Sequence, residues 1–236
     1  MDRNNLVVKP KRHYDSSHRR RQAQRSQQAI LDVARRLFLA AGYPATTIAS
    51  IAEAADVSVD SIYKTFGGKA GLVRAIWERG LAGSGPIPAW QRSDEMGARE
   101  ADPRTIVRNW GKLTVEVAPL VAPILLLIRA AAGADPEMAR LQAEVDRARL
   151  SRMEFNARRL ADGRGLRRGI TLQMAGDVLW TYSSPELYEL LVLRRGWSAE
   201  DYGAFIAEAM IAALLPGTPG NRVGQDSSGG DSSESG

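Results

Sequence analysis

The sequence predicts an all-α chain, and three observations carry that reading. Apolar residues recur at i, i+3, i+4 and i+7 in one segment after another, helix start signals punctuate the chain, and no segment alternates at period two. At 236 residues the chain can bury a sizeable core, as one large domain or two modest ones.

The first helix is placed at about 22–41, where Ile30, Val33, Ala34, Leu37, Phe38 and Ala41 form one apolar stripe. Gly42 is the expected stop, and Pro44 discourages continuation. Thr47 is placed to cap a second helix through Ala55, with Ile48, Ile51, Ala52 and Ala55 inward. Ser58 is placed to cap a third, with Val59, Ile62 and Phe66 inward. Gly67-Gly68 breaks the chain, and Leu72, Val73, Ile76 and Trp77 open a fourth helix ending near Gly80. Two short apolar-faced helices joined tightly between Thr46 and Lys69 make a helix-turn-helix, inside a domain placed at 22–82. The second helix of such a pair is shaped to enter the major groove of DNA.

Residues 83–102 are rich in Gly, Pro and charge without periodicity, and are expected to be a connector. Beyond them Asp102-Pro103, Asp135-Pro136 and Ser184-Pro185 each offer an N-cap followed by Pro at the first helical position. Ser198 with Asp201 resembles a capping box. Helices are expected near 103–117, 119–132, 136–162, 171–182, 185–195 and 199–215, making a second helical domain at 103–216. Residues 1–21, with Lys9, Lys11, Arg12, Arg19, Arg20 and Arg21, are expected to be a flexible basic arm, free or lying on phosphates or in a minor groove. The Gly/Ser/Asp-rich residues 217–236 are expected to be a disordered tail.

Charge is unevenly placed. Residues 1–83 carry 14 Lys/Arg against 7 Asp/Glu, an excess of +7, whereas residues 84–236 stand at −2. Positive charge therefore gathers with the helix-turn-helix, where phosphates would be neutralised. One apolar stretch, Val115 to Ala132, bears weighing as a membrane span. Glu116, Pro119, Pro123 and Arg129 interrupt it, so it reads as a buried core helix, and no membrane partner is expected. Cysteine is absent, which removes disulfides and thiolate chemistry. The only histidines, His13 and His18, fall in the arm, and no Gly-rich phosphate loop is present. An enzyme, a metal site or a cofactor is not expected on that inventory, and a cytoplasmic location is.

On the third helix Ser58, Val59, Asp60 and Ser61 open the segment that would meet base edges, and Tyr63, Lys64 and Thr65 follow on its exposed side. Val59 can pack inward or offer its methyls to a thymine. Asp60 can accept from a cytosine amino group or favour the positive end of its own helix. Thr47, Tyr63 and Lys69 are expected at phosphates, Thr47 and Lys69 because each begins a helix with free N–H groups.

The segment GYPATTIASIAEAADVSVDSIYKTFGGKAGLV resembles the DNA-binding domain of the tetracycline-repressor (TetR) family of bacterial transcriptional regulators. Gly42-Tyr43, Thr46-Thr47, Ile51-Ala52, Tyr63, Phe66 and Lys69 carry the resemblance over roughly residues 25–80. Asp60 stands where the family often has Gly, Gly68 where a capping Ser is common, and Ala70-Gly71 where an acidic residue is usual. Loss of the cap should loosen the fourth helix start, and Gly71 should cost about 1 kcal/mol against Ala.

The resemblance implies a C-terminal all-α domain for ligand binding and dimerisation. Trp110, Leu113, Val117, Leu127, Phe155, Met174 and Trp180 suit an apolar effector pocket and suit an ordinary core equally. Arg129, in an apolar helix, can answer an acidic ligand or a carboxylate of the chain, or sit at the solvent edge. Leu187, Leu191, Phe205, Ala209, Ala212 and Ala213 are candidates for a two-fold interface. The function expected is a homodimeric repressor on a palindromic double-stranded DNA operator, released by a small apolar effector. The alternative is a DNA-binding regulator with no small-molecule effector.

Overall fold

The computed structural model describes residues 16–163 and 165–217; residues 1–15 of the expected arm, with His13, and 218–236 of the expected tail lie outside them. The described residues form ten α-helices and no strand: α1 (Ser16–Ala45), α2 (Ile48–Ala54), α3 (Val59–Phe66), α4 (Lys69–Ala82), α5 (Ala89–Arg99), α6 (Pro103–Ala132), α7 (Pro136–Asp162), α8 (Leu172–Tyr182), α9 (Pro185–Tyr188) and α10 (Ala199–Leu214). The chain is all-α.

Local chemistry accounts for most element ends. Gly42 takes a φ of 80° and breaks the path of α1. Thr46, fully buried, donates to the carbonyls of Gly42 and Leu37, closing that helix end. Thr47 then caps α2 by a full capping box with Ser50. Ser58 caps α3 through the Ser61 N–H, and Asp102, Asp135, Thr171 and Ser198 cap α6, α7, α8 and α10. Ser184 leads Pro185 into α9 but makes no capping bond of its own.

Several expectations are corrected. The first helix begins at Ser16, so the last residues of the supposed arm are helical. Ala41 is exposed, while Tyr43 is buried and stacks on Phe38 at 5.8 Å. The supposed connector contains α5, an 11-residue helix whose buried positions are the small Ala89, Ser93 and Gly97. The segments 103–117 and 119–132 are one 30-residue helix running through Pro119 and Pro123. The segment 185–195 begins as α9 and continues from Glu189 to Arg194 as a π-helical stretch.

Gly71 is no economy measure. A Cβ there would sit 1.7 Å from the Phe66 carbonyl oxygen, so α4 approaches the end of α3 as only glycine allows. The expected penalty against Ala does not apply.

Two hydrophobic cores organise the chain. The first joins α1–α4 to Val121, Ile124 and Ile128 of α6 and Met138 and Leu141 of α7. The second gathers the first half of α6 with α7, α8, α9 and α10 around Trp110, Leu160, Leu179 and Ile206. Helix α6 therefore belongs to both. It is also the one described helix long and apolar enough to cross a membrane. Of its half-buried residues, Leu113, Thr114, Val117, Ala118 and Leu125 line a cavity.

Candidate nucleic-acid interface and ligand cavity

The outer face of α3 is built by one buried anchor. Ile62 is fully buried and Phe66 half-buried, which turns Val59, Asp60, Ser61, Tyr63, Lys64 and Thr65 to the surface. Val59 was expected among the inward residues; it is 39% exposed, and its methyls lie on the open face. Asp60 sits in the first turn, where the helix N-terminus favours its charge. Ser58 and Ser61 pair through their hydroxyls at 2.8 Å. Thr47 lies exposed at the start of α2 with its hydroxyl already accepting from the Ser50 N–H at 3.0 Å.

Lys69 is placed differently from the rest. Its ammonium donates to the carbonyls of Tyr43 at 2.8 Å and Thr46 at 3.1 Å, and lies 4.1 Å from the centre of the Tyr43 ring. These carbonyls end α1, where a cation is favoured. Lys69 thus ties α4 back to the α1–α2 turn. Gly68 provides no cap to α4, and this tie stands in its place. Burial pushes the Tyr43 phenol above its ordinary value, so its ring stays neutral beneath the ammonium.

A cavity of about 470 Å³ lies between the two cores. Trp77 and Leu81 of α4 form one wall, and Trp90 and Ser93 of α5 another. Trp110, Leu113 and Val117 line it from α6, as expected from sequence. The other four expected lining residues do not. Leu127 packs into the first core, and Phe155, Met174 and Trp180 are surface residues, 43%, 46% and 37% exposed. Tyr188 and Tyr202 close the far side, meeting edge to face at 5.4 Å. Burial raises both phenols, that of Tyr202 to about 12, so both keep their protons.

The polar lining went unread in the sequence. Arg149, Arg152 and Asn156 of α7 line the cavity with Val145, Ala148 and Met153. These positions follow i, i+3, i+4, i+7, i+8, i+11, one continuous helix face, and that register was the available signal. Arg129 lies outside the cavity and answers the chain's own carboxylates, pairing with Glu186 and lying 3.8 Å from Asp146. Among the described residues no cluster of His, Asp or Glu has the makings of a metal site.

The interface candidates divide. Leu187, Leu191 and Ala213 pack, partly buried, on the second core of their own chain. Phe205, 40% exposed, and Ala212 lie on the outside of α10, with Ala209 between them half-buried. Trp197 meets Phe205 edge to face at 5.6 Å on that surface.

Residues 30–76, from the middle of α1 into α4, match the model of the tetR family of bacterial regulatory proteins. That segment carries the likeness to the tetR family. It is 35% identical over 90 residues to the HTH-type transcriptional regulator AcrR of Shigella flexneri, across 38% of its own length. It spans only 40% of that curated relative. Among solved structures it is similar to NalD, the secondary repressor of the MexAB-OprM multidrug efflux pump in Pseudomonas aeruginosa. The TM-score is 0.62 at 22% identity, covering 83% of this chain and 98% of NalD. It is similar also to SmeT, the repressor of the Stenotrophomonas maltophilia multidrug efflux pump SmeDEF, in its triclosan complex. There the TM-score is 0.64 at 20% identity, covering 82% of this chain and 93% of SmeT. These two likenesses show that the fold of NalD and SmeT extends over both cores.

Proposed function

We propose that the protein is a cytoplasmic homodimeric transcriptional repressor that binds a palindromic DNA operator through α3 and is released by a small, largely apolar effector. One observation carries the reading: α4 packs against the end of α3 and, through Trp77 and Leu81, is also a wall of the cavity. A ligand that moves this wall moves the helix on which α3 rests. Two α3 helices set about 34–36 Å apart would read successive major-groove faces, so a small change in their spacing would cost both half-sites at once. The names of NalD and SmeT as efflux-pump repressors, and the triclosan bound to SmeT, support the effector side.

Tyr63, Lys64 and Thr65 are the contacts proposed on the duplex, with Ser58, Val59, Asp60 and Ser61 at base edges and Thr47 at a phosphate. Lys69 acts by holding the α1–α2 turn that presents Thr47. The dimer is proposed to form over Phe205, Ala209 and Ala212 of α10. The volume of the cavity speaks against a regulator without effector, since a filled core would have suited that reading.

Footprinting beside the protein's own promoter tests the DNA side, with protection of a palindrome expected. Titration of a cavity ligand with and without operator tests the coupling. Linkage requires operator to weaken ligand binding by the factor by which ligand weakens operator binding. Equal ligand affinity in both states would reject the mechanism.

A further inference from the structure

The charged lining of the cavity is all of one sign. Among the described residues Arg149 and Arg152 are its only ionisable groups apart from tyrosines, and no carboxylate lines it. The two arginines are not equivalent. Arg152 is neutralised by a two-pronged pair with Asp94, at 2.7 and 3.1 Å. Arg149, with its side chain only 12% exposed, spends Nη1 on the Trp180 carbonyl at 2.7 Å and the Ser183 hydroxyl at 3.1 Å. Its Nη2 lies 3.7 Å from Asp146, a carboxylate that also lies 3.8 Å from Arg129. Its Nε has no hydrogen-bond partner. The guanidinium rests 4.4 Å from the centre of the Trp180 ring, which fixes its plane.

We propose, resting on the effector reading above, that the cavity is built for an amphiphile with an apolar chain and one carboxylate-class anionic head, held by Arg149. A carboxylate meets a guanidinium through charge-assisted N–H···O bonds. Nε is sealed off, so Nη2, approached only by Asp146 at 3.7 Å, is the nitrogen of Arg149 open to such a bond. A buried cation whose one carboxylate, Asp146, lies 3.7 Å away and is shared with Arg129 gains from an anionic ligand and repels a cationic one. Burial and the neighbouring Arg129 pull the Arg149 pKa down against Asp146, consistent with incomplete compensation.

Three probes of one chain length, decanoate, decanol and decyltrimethylammonium, separate head from tail. They are titrated into the full chain by calorimetry and by quenching of its tryptophan fluorescence. Decanoate is expected to bind about tenfold or more tightly than decanol, the size of a charge-assisted hydrogen bond, with the cation weakest. Arg149→Met should bring decanoate down to decanol while leaving decanol unchanged. Arg152→Met, whose charge Asp94 already answers, should keep the preference. Equal binding of the three probes by the unaltered protein, or tightest binding of the cation, overturns the proposal but leaves an effector cavity. Binding of none overturns both readings.

Discussion

The Arg35 guanidinium donates to the backbone carbonyl of Pro119 at 3.0 Å, across 84 residues of sequence. In an unbroken helix that carbonyl would accept from the N–H of residue 123, but residue 123 is proline and has none. Arg35 of α1 supplies the missing donor. The bond joins α1 to the part of α6 where Val117, Ala118 and Val121 line the cavity. Arg35→Met should cost about 1–3 kcal/mol by leaving that carbonyl unanswered. Pro123→Ala restores an N–H at the right place, so Arg35→Met should cost less in that background. A double-mutant cycle in urea unfolding reads the difference, and strictly additive effects would show that Arg35 is not the surrogate donor.

Lys64 and Lys69 stand five residues apart and should fail differently. Lys64 is exposed on α3, so Lys64→Ala should weaken operator binding and reduce the slope of log affinity against log salt by about one. Lys69 holds two carbonyls at the end of α1, so Lys69→Ala should lower the melting temperature of the free protein as well. An unchanged melting temperature would return Lys69 to the surface as a simple phosphate contact.

Glu116 of α6 secures α5 and the segment before it. Arg92 donates to both carboxylate oxygens at 2.7 and 2.8 Å, and the Ser84 N–H donates at 2.8 Å. Arg92 first, then the Ser84 N–H, hold the Glu116 carboxyl below the usual carboxylate range against the opposing effect of burial. With the folded pKa below the unfolded one, this contribution is present above the unfolded value. It is lost as pH falls from there through the folded value. Glu116→Gln should therefore lower stability at neutral pH and lower it less under acid conditions. Parallel melting curves for the two proteins across that range would contradict the assignment.

What the sequence revealed followed the range of the interaction. Caps at Thr47, Ser58, Asp102, Asp135 and Ser198 act within three residues and were legible, as was the fold class. Pro119 looked like a helix boundary because the donor that answers its carbonyl, Arg35, lies far away in sequence. Helix α5 was hidden because it buries alanine, serine and glycine, which give little apolar signal. On the exposed face of α3, Tyr63, Lys64 and Thr65 fell where helical spacing put them. The cavity was half-legible. Trp110, Leu113 and Val117 share one apolar face, but nothing local marked Arg149, which only the packing of distant helices encloses.

Phe205 marks the outer face of α10, the proposed interface. Ile206, Met210 and Leu214 turn inward, whereas Phe205 and Ala212 face out, with half-buried Ala209 between them and Trp197 packed on the Phe205 ring. Apolar residues repeating at i, i+4 and i+7 on an open helix face provide the seam that a two-fold helical interface requires. Phe205→Glu places a charge in that seam and should shift the protein to monomers, as for an interface anchor worth about 2 kcal/mol or more. Operator affinity should fall with it, because each half-site would then be bound alone. Leu187→Ala provides the contrast: Leu187 packs on its own chain's core, so that change should lower the melting temperature and leave the dimer intact. Sedimentation velocity reads both variants. A Phe205→Glu protein that remains dimeric would move the interface off this face of α10.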